Sequence, residues 1–264
     1  MDQRMVRDYL ERIGAPMPRA ADLDSLRDLH ERHLYTVPFE NIYTRLGTPV
    51  ELDEDVYVDK IVRLRRGGGC YELNGAFGAL LRALGYRVTL LAAAPFKPDG
   101  EPMFALDHLV LRVDLDRPWM LDVGFGQGYV FPLRMDTDEA QTDPAGEFRV
   151  VEAPYGDVDV LFDGTPKYRV EAHPRRWCDF QPSWDWHHAS PESFWNTMDL
   201  CSLKTPTGRV TLHGNRLITT DQDGTTERLL DEPELLAVYR GTFGIGLDRP
   251  PSAFRRGPDM AEVI

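Results

Sequence analysis

The sequence predicts an α+β fold in which helices come first, antiparallel strands follow, and a smaller mixed region ends the chain. Two features of the sequence support this prediction. Apolar residues recur at helical spacing up to about residue 85, whereas from Tyr86 onward they alternate with a period of two. Of the 264 residues, 42% are hydrophobic and 28% are charged, which supplies enough apolar material for a globular core.

Three helices are predicted in the first part of the chain. Apolar stripes at residues 9–13 and 23–33 mark the first two. The third helix has the strongest pattern, because its apolar residues recur at helical spacing up to Leu84. The next residue, Gly85, is of the type that commonly ends a helix. Glycines 67–69 disfavour helix, so Cys70 is expected in the first turn of this third helix.

The rest of the chain is typical of an antiparallel meander or barrel, followed by further strands and a short helix. Asp116–Pro118 and His213–Asn215 are expected to form turns between neighbouring strands. A short helical segment follows Asp231, at Pro233–Tyr239. Strand-like segments occur at residues 86–93, 108–115, 119–125, 148–153, 158–164, 167–173, 208–214 and 215–220.

Charge and composition exclude several classes of protein. Lys and Arg number 30 and Asp and Glu 43, so the net charge is −13, and no basic stripe for nucleic acid is present. The longest apolar stretch, Val88–Phe96, is about half the length of a membrane-spanning helix, and the N-terminus lacks the pattern of a secretory signal. We therefore expect a cytoplasmic protein with neither nucleic acid nor membrane as a partner. The three cysteines are widely spaced, which predicts neither a disulfide framework nor a metal site.

Cys70 is the strongest single candidate for chemistry. A helix N-terminus favours the thiolate form of a cysteine, which is the reactive form. The alternative is a buried structural thiol, because Cys70 lies three residues before Leu73 on the apolar face. The three glycines before Cys70 favour the nucleophile, since they carry no side chains that would keep a substrate away from the sulfur.

His108 and Asp122 are the predicted partners of this thiol. A reactive thiolate usually needs an imidazole as base and a third group that orients the imidazole. If the two strands pair around Arg117, the residue numbers of each cross-strand pair add up to an even number. Even-numbered residues of both strands, including His108 and Asp122, then share one face of the sheet. Taken alone, His108 is more typical of a core or rim histidine, and Asp122 of a carboxylate that caps the turn before Gly124, than of a catalytic residue. The prediction therefore rests on all three residues together.

Two other motifs are weaker. Gly124–Gly128 lacks the Lys-Ser/Thr pair of a Walker loop and does not open a Rossmann helix, so it either offers backbone N–H groups to a phosphate or simply turns the chain. His187–His188 has no third ligand at a recognisable spacing. We therefore predict no metal site.

Residues 66–74, with the sequence RGGGCYELN, resemble the RGGxC(x)ExN signature of the arylamine N-acetyltransferase family. His108 and the segments 37–41, 121–126 and 190–193 also occur in the family's order. These motifs extend over nearly the whole chain. On this basis the protein is identified as a member of that family.

The resemblance implies three domains around a site like that of a cysteine protease. Residues 1–85 would form a helical domain that carries the nucleophile. Residues 86–190 would form an antiparallel β-barrel that carries the histidine and the aspartate, and residues 191–264 an α/β lid.

The resemblance also implies a ping-pong acyl transfer. Cys70 would accept the acyl group, His108 would act as its base, and Asp122 would orient His108. The backbone N–H of Tyr71 is expected to stabilise the oxyanion. An aromatic amine would then take the acyl group from the cysteine.

Supporting residues and a co-substrate follow from the same resemblance. Arg66 and Glu40 are expected to form a structural ion pair that braces the glycine loop. The expected co-substrate is acetyl-CoA, with no permanently bound cofactor. The residues expected to bind it are Gly124, Phe125, Gly126, Gln127 and Gly128.

Two further activities are compatible with the same three residues. An amide synthase would release a polyketide from an acyl carrier protein by closing a macrolactam, and a cysteine hydrolase would turn over without an amine. Gly69 stands where a larger side chain is usual in the family, and Trp195 replaces a usual Phe. A site entrance with no side chain at residue 69 and with aromatic walls would suit a large acyl chain. These departures therefore favour the amide synthase but do not decide between the activities.

Overall fold

The computed structural model describes residues 1–42, 51–126 and 128–251, and it confirms the α+β class. Helices occupy most of the first third of the chain and return near its end. The first two helices of the chain begin with aspartate N-caps: the side chains of Asp2 and Asp22 accept hydrogen bonds from backbone N–H groups. The helices are α1 Gln3–Arg12, α2 Leu23–Thr36, α3 Glu54–Val62, α4 Cys70–Ala83, α5 Gln181–Ala189, α6 Phe194–Thr197 and α7 Glu232–Gly241.

Helix α4 begins and ends where the sequence predicts. Cys70 is its first residue, and the Glu72 carboxylate accepts a hydrogen bond from the backbone N–H of Gly69 at 2.8 Å, so the helix start is capped from within. After the helix, Gly85 has φ +96°, a backbone conformation that favours glycine. Every side chain from Cys70 to Leu81 is buried, so α4 is the central helix of the helical region.

An antiparallel sheet of eight strands curls into a nearly closed barrel in the order β5-β4-β3-β2-β9-β8-β7-β6. The two end strands are joined by one side chain, because Gln141 of β6 accepts a hydrogen bond from the backbone N–H of Arg134 at 2.7 Å and donates one to its carbonyl at 3.0 Å. These strands are β2 Arg87–Pro95, β3 His108–Asp114, β4 Pro118–Leu121, β5 Leu133–Arg134, β6 Gln141–Asp143, β7 Gly146–Glu152, β8 Val158–Phe162 and β9 Thr165–Arg175.

A second antiparallel sheet unites the two ends of the described chain. Its first strand comes from the helical region and pairs with the C-terminal strands, Phe39 opposite Ser202. Helix α7 packs on this sheet through Leu235 and Tyr239. The strands, in order across the sheet, are β1 Phe39–Glu40, β10 Leu200–Thr205, β11 Gly208–His213, β12 Arg216–Asp221 and β13 Gly224–Leu229.

Strand β3 positions the site because both of its faces are buried. Leu109 and Leu111 pack in the cluster that surrounds α4, whereas Val110 packs in the cluster that fills the barrel. The barrel therefore stands directly against α4, and the first turn of α4 meets the end of the barrel. None of the helices in the described ranges is long and apolar enough to cross a membrane.

Candidate active site

Cys70 lies in the first turn of α4, buried against the turn that follows β4. A Cβ atom placed on Gly124 would lie 2.6 Å from the Cα of Cys70, so only glycine fits at this contact. The Cys70 Sγ lies 4.0 Å from the backbone carbonyl oxygen of Asp107, the residue before His108. The nucleophile predicted from sequence is thus placed beside the start of β3.

His108 and Asp122 meet on the barrel face of the same hairpin. Leu111 pairs with Leu121 and Asp114 with Pro118, so the residue numbers of each pair add up to an even number, as predicted. The hairpin is centred on residue 116, one residue before the expected Arg117. His108 Nε2 lies 2.7 Å from Asp122 Oδ2, and both side chains are buried. The even register is the reason that the two side chains share one face.

The electrostatics favour a charged histidine beside the sulfur. Burial by itself disfavours the imidazolium of His108, but the negative charges of Asp122 and Cys70 outweigh burial and raise the pKa of His108 to about 10. Hydrogen bonds to the same two side chains act in the same direction. Since Nε2 is taken by Asp122, Nδ1 is the nitrogen left for the thiol. A charged imidazolium beside a thiol is the arrangement that activates cysteine nucleophiles.

Asn74 holds Asp122 in place, and the sequence analysis gave it no role. Its Nδ2 donates to Asp122 Oδ1 at 2.9 Å and to the backbone carbonyl of Leu109 at 2.7 Å, while its Oδ1 accepts from the backbone N–H of Val123 at 2.9 Å. One side chain therefore ties α4 to both sides of the β3–β4 hairpin. Its position one helical turn after Cys70, on the same face, is the signal that could have identified it.

His30 of α2 supports Asp122 from the other side. Its Nδ1–H donates to the backbone carbonyl of Val130 at 2.7 Å, and its Nε2 accepts from the backbone N–H of Asp122 at 3.1 Å. Burial lowers the pKa of His30 to about 4, so the ring is neutral and can accept this hydrogen bond. The sequence analysis assigned His30 only to a helical stripe, because sequence does not show which strand the helix packs against.

The glycine loop after Asp122 lies against the same residues. The backbone N–H of Gly124 donates to Asp122 Oδ1 at 2.9 Å, and the Phe125 ring contacts the His108 ring edge-on with centroids 5.4 Å apart. The backbone N–H of Gly128 donates to the carbonyl of Phe125 at 2.8 Å and closes a turn. Gln127 lies outside the described residues.

Comparison with known proteins assigns the chain to a family. A family model described as N-acetyltransferase matches residues 22–251. The arylamine N-acetyltransferase of Escherichia coli (strain K12) is 32% identical over 256 residues, which cover 93% of this chain and 90% of that protein. The chain belongs to the arylamine N-acetyltransferase family.

Solved structures of arylamine N-acetyltransferases agree with this assignment. The M. smegmatis enzyme matches with a TM-score of 0.85 at 29% identity, covering 95% of this chain and 96% of that one. The Mycobacterium marinum enzyme in complex with CoA matches with a TM-score of 0.82 at 30% identity, covering 91% and 92%. The predicted fold, a helical region followed by an antiparallel barrel and an α/β end, is therefore that of arylamine N-acetyltransferases.

The brace around the glycine loop differs from the predicted ion pair of Glu40 with Arg66. Among the described residues, Lys60 forms an ion pair with Glu40: its Nζ lies 3.9 Å from Glu40 Oε1 and 2.6 Å from Glu72 Oε1. The second oxygen of Glu40 accepts from the backbone N–H of Ile42 at 2.6 Å. Lys60 can reach both carboxylates because α3, which the sequence analysis did not identify, packs along α4.

The two departures from the pattern of arylamine N-acetyltransferases compensate each other. A Cβ atom on Gly69 would lie 2.7 Å from Cη2 of Trp195, so the indole occupies the room that a larger residue at 69 would need. A Cβ atom on Gly75 would similarly lie 2.7 Å from Cη2 of Trp177. The missing side chain at residue 69 therefore does not by itself open an entrance, because Trp195 fills that space.

The neighbouring histidines 187 and 188 make hydrogen bonds within the protein. His187 Nε2 lies 2.8 Å from Asp107 Oδ1, and its Nδ1 lies 3.1 Å from Ser193 Oγ. His188 Nδ1 lies 2.8 Å from the carbonyl oxygen of Trp184. Within the part of the chain that the structure describes, no group of three His, Cys, Asp or Glu side chains is placed to hold a metal ion.

Proposed function

We propose that this protein transfers an acetyl group from acetyl-CoA to an aromatic amine through an acyl-cysteine on Cys70. The arrangement of Cys70, His108 and Asp122 in this member of the family is the observation that carries the proposal. CoA enters as a substrate, since the M. marinum relative was solved in complex with it.

In the first half-reaction, the Cys70 thiolate attacks the thioester carbonyl and a new carbon–sulfur bond forms. The oxyanion is stabilised by the backbone N–H of Tyr71, which lies in the first turn of α4 and has no partner within the helix. The bond to the coenzyme sulfur then breaks, and the His108 imidazolium gives its proton to the leaving thiolate. This leaves acetyl-Cys70 and a neutral His108.

In the second half-reaction, the amine nitrogen attacks the acetyl-Cys70 carbonyl. Neutral His108 takes a proton from this nitrogen, and the carbon–sulfur bond to Cys70 breaks to release the amide. The thiolate–imidazolium pair is restored. Asp122 keeps Nδ1 of His108 directed at the sulfur through both steps, because it holds Nε2.

The test separates the two half-reactions. Protein incubated with acetyl-CoA and no amine should gain the mass of one acetyl group, located on the peptide that contains Cys70. Addition of an aromatic amine should remove this group and yield the acetylated amine. Ping-pong kinetics should accompany the exchange.

The Cys70→Ala variant is the control, and circular dichroism checks that it is folded. An acetyl group on another residue, or full activity in this variant, would show that the nucleophile is wrongly assigned. Release of free acetate at the same rate with and without amine would instead indicate a hydrolase.

A further inference from the structure

Two cations face each other on neighbouring strands of the C-terminal sheet. Lys204 of β10 and Arg209 of β11 are direct cross-strand partners. Like charges at this position of an antiparallel pair destabilise the pairing. In a chain with a net charge of −13, carboxylates are abundant, so two adjacent cations that form no ion pair with any described residue are an unexpected feature.

The contacts of both cations are with neutral groups. Lys204 Nζ donates to the backbone carbonyl of Gly128 at 2.5 Å, and Arg209 Nη1 donates to Ser202 Oγ at 3.3 Å. In the described ranges neither forms an ion pair within 4.0 Å, although the charge of Asp143 acts on Lys204 from farther away and opposes the lowering of its pKa. Burial lowers the pKa of Lys204 to about 8 and that of Arg209 to about 10, which shows that both charges are poorly solvated. An anion that bound here would offset this cost.

The pair lies against the glycine loop that leads away from the nucleophile. A Cβ atom on Gly126 would lie 3.1 Å from Arg209 Nη1, and the loop begins at Gly124, which touches Cys70. The same face of the β10–β11 hairpin carries the hydroxyl groups of Ser202 and Thr211, which are hydrogen-bonded to each other at 2.8 Å. Cations, hydroxyl groups and backbone of a glycine loop are the groups that bind phosphate in proteins.

We propose that Lys204 and Arg209 bind a phosphate group of the acyl donor, which is a thioester on a phosphorylated pantetheine arm. This inference rests on the proposed function, because the arm must reach Cys70 while its phosphate lies beside Gly126. The same chemistry is present in free acetyl-CoA and in a carrier-bound arm. Recognition of the phosphate by this pair would also overcome the repulsion between an acidic protein and an anionic donor.

The experiment compares three donors that share the acetyl-pantetheine arm and differ in the phosphate groups and the nucleotide attached to it. Lys204→Gln, Arg209→Gln and the double variant are assayed with acetyl-CoA, with S-acetyl-pantetheine 4′-phosphate and with S-acetyl-pantetheine. We expect the KM for acetyl-CoA to rise about 10-fold to 100-fold in the double variant, as for the loss of one or two charged hydrogen bonds. The KM for the phosphate-free donor should change less than about twofold, since that donor makes no such contact.

The phosphorylated arm without a nucleotide shows which phosphate is bound. An equal rise in its KM would mean that the pair binds the phosphate shared with carrier-bound donors. No rise with this donor, together with a rise for acetyl-CoA, would assign the pair to the phosphates of the nucleotide. CoA should also raise the Tm of the wild type by more than that of the double variant.

Arg216→Gln is the matched control, because Arg216 lies in the same sheet but is paired with Glu227 at 2.6 Å. This variant removes the same charge and should leave the KM for all three donors unchanged. An unchanged KM for acetyl-CoA in the double variant would overturn the inference, and so would an equal rise for the phosphate-free donor. Failure of acetyl-CoA to acetylate Cys70 in the wild type would count against the proposed function itself.

Discussion

Close packing explains why glycines precede Cys70. A Cβ atom on Gly67 would lie 1.9 Å from the backbone carbonyl oxygen of Pro38, and one on Gly69 would meet Trp195. The sequence analysis interpreted this glycine run as room for a substrate. The structure shows that parts of the protein fill that room, and sequence alone cannot distinguish these two uses of glycine.

The contact between Gly69 and Trp195 predicts coupled substitutions. Gly69→Ala should overpack the contact and Trp195→Phe should leave it underpacked, each at a cost of about 1–3 kcal/mol in the free energy of unfolding. The double variant should be more stable, by about 0.5–3 kcal/mol, than the sum of the two single losses in unfolding free energy predicts. The reason is that phenylalanine at 195 lacks the ring atoms that the Cβ of alanine at 69 would meet. Gly69 has φ −84°, so alanine adds no backbone strain.

Chemical denaturation of all four proteins measures this coupling. Additive effects within error would show that the two positions do not share space. Gly78→Ala in the same helix is the control, since its Cβ would lie at an ordinary 3.4 Å from Leu111, and it should show no coupling with Trp195→Phe.

The charge of Asp122 predicts a shifted pH dependence. Asp122 raises the pKa of His108, so the imidazolium of the wild type is present below a pH of about 10 and is lost as the pH rises through that value. Asp122→Asn removes this charge, so His108 should lose its proton at a lower pH. NMR titration of the His108 ring measures the shift.

Acetyl transfer by Asp122→Asn should fall on the order of 10³-fold to 10⁴-fold, because the amide no longer stabilises the imidazolium or fixes the tautomer. Asp143→Asn provides the comparison. Asp143 is a buried carboxylate that accepts hydrogen bonds from backbone N–H groups at 2.8–3.0 Å, away from His108. An unchanged titration of His108 in Asp122→Asn would contradict the assigned role of Asp122.

At the scale of elements, helix α5 ties the segment before β3 to the C-terminal region. The Tyr71 hydroxyl donates to the carbonyl of Leu106 and lies 2.9 Å from Ser183 Oγ of α5, while His187 of α5 lies 2.8 Å from Asp107. Leu106 has φ +65°, a conformation that costs energy for leucine. These contacts therefore hold a strained backbone immediately before His108.

The hydrogen bond between His187 and Asp107 predicts different effects for two similar substitutions at His187. Glutamine places its amide nitrogen near the position of Nε2 and can still donate to Asp107, whereas asparagine reaches only the position of Nδ1. We expect His187→Asn to lower the rate of Cys70 acetylation about 10-fold to 100-fold, because the segment before His108 is displaced. His187→Gln should keep the rate within a few-fold of the wild type.

Single-turnover acetylation, followed by mass spectrometry at several pH values, measures both variants. Equal rates for the two variants would show that the hydrogen bond to Asp107 does not position the site. Because glutamine restores only this hydrogen bond, rescue by glutamine separates positioning from a general loss of packing.

Strong periodicity was sufficient to predict elements, but weak periodicity was not. Helix α4 and the β3–β4 hairpin were predicted correctly, since their apolar patterns are long and bounded by glycine or a turn. Helix α3 lies in an acidic segment and has only nine residues, and β5 has two, which is too short for a pattern to develop. Strand β13 has six exposed residues and therefore no alternation. The packing of the aromatic segment 177–195 on α4 is a tertiary contact that no local pattern reveals.

At the scale of the whole molecule, the site exists only where two hydrophobic clusters meet. Cys70 belongs to the cluster around α4, whereas Phe125 and Tyr168, which contact the His108 ring, pack with the cluster inside the barrel. The motifs and the resemblance predicted which residues come together. They did not predict the supporting residues, because Asn74 and His30 act through contacts between distant parts of the chain.

The buried histidines link the stability of the whole molecule to pH. His33 of α2 is fully buried, with Nε2 lying 2.9 Å from the Tyr9 hydroxyl, and burial lowers its pKa well below the usual value of 6.5. Below about pH 6.5 the unfolded chain therefore binds a proton at His33 that the folded protein excludes. The contribution of neutral His33 to stability is complete above that pH and is lost as the pH falls.

Replacement of His33 by glutamine should reduce this acid sensitivity. Glutamine still offers a hydrogen-bond partner to Tyr9 but does not titrate. Between pH 6 and 5 the unfolding free energy of His33→Gln should therefore fall less steeply than that of the wild type, and the two slopes should differ by about 1.4 kcal/mol per pH unit. Tyr9→Phe is the control, because it removes the hydrogen bond but keeps the buried imidazole and should retain the wild-type slope. Urea denaturation at a series of pH values measures all three slopes. A wild-type slope in His33→Gln would mean that the proton uptake of acid unfolding occurs at other groups, and that burial of His33 does not limit the stability of the fold.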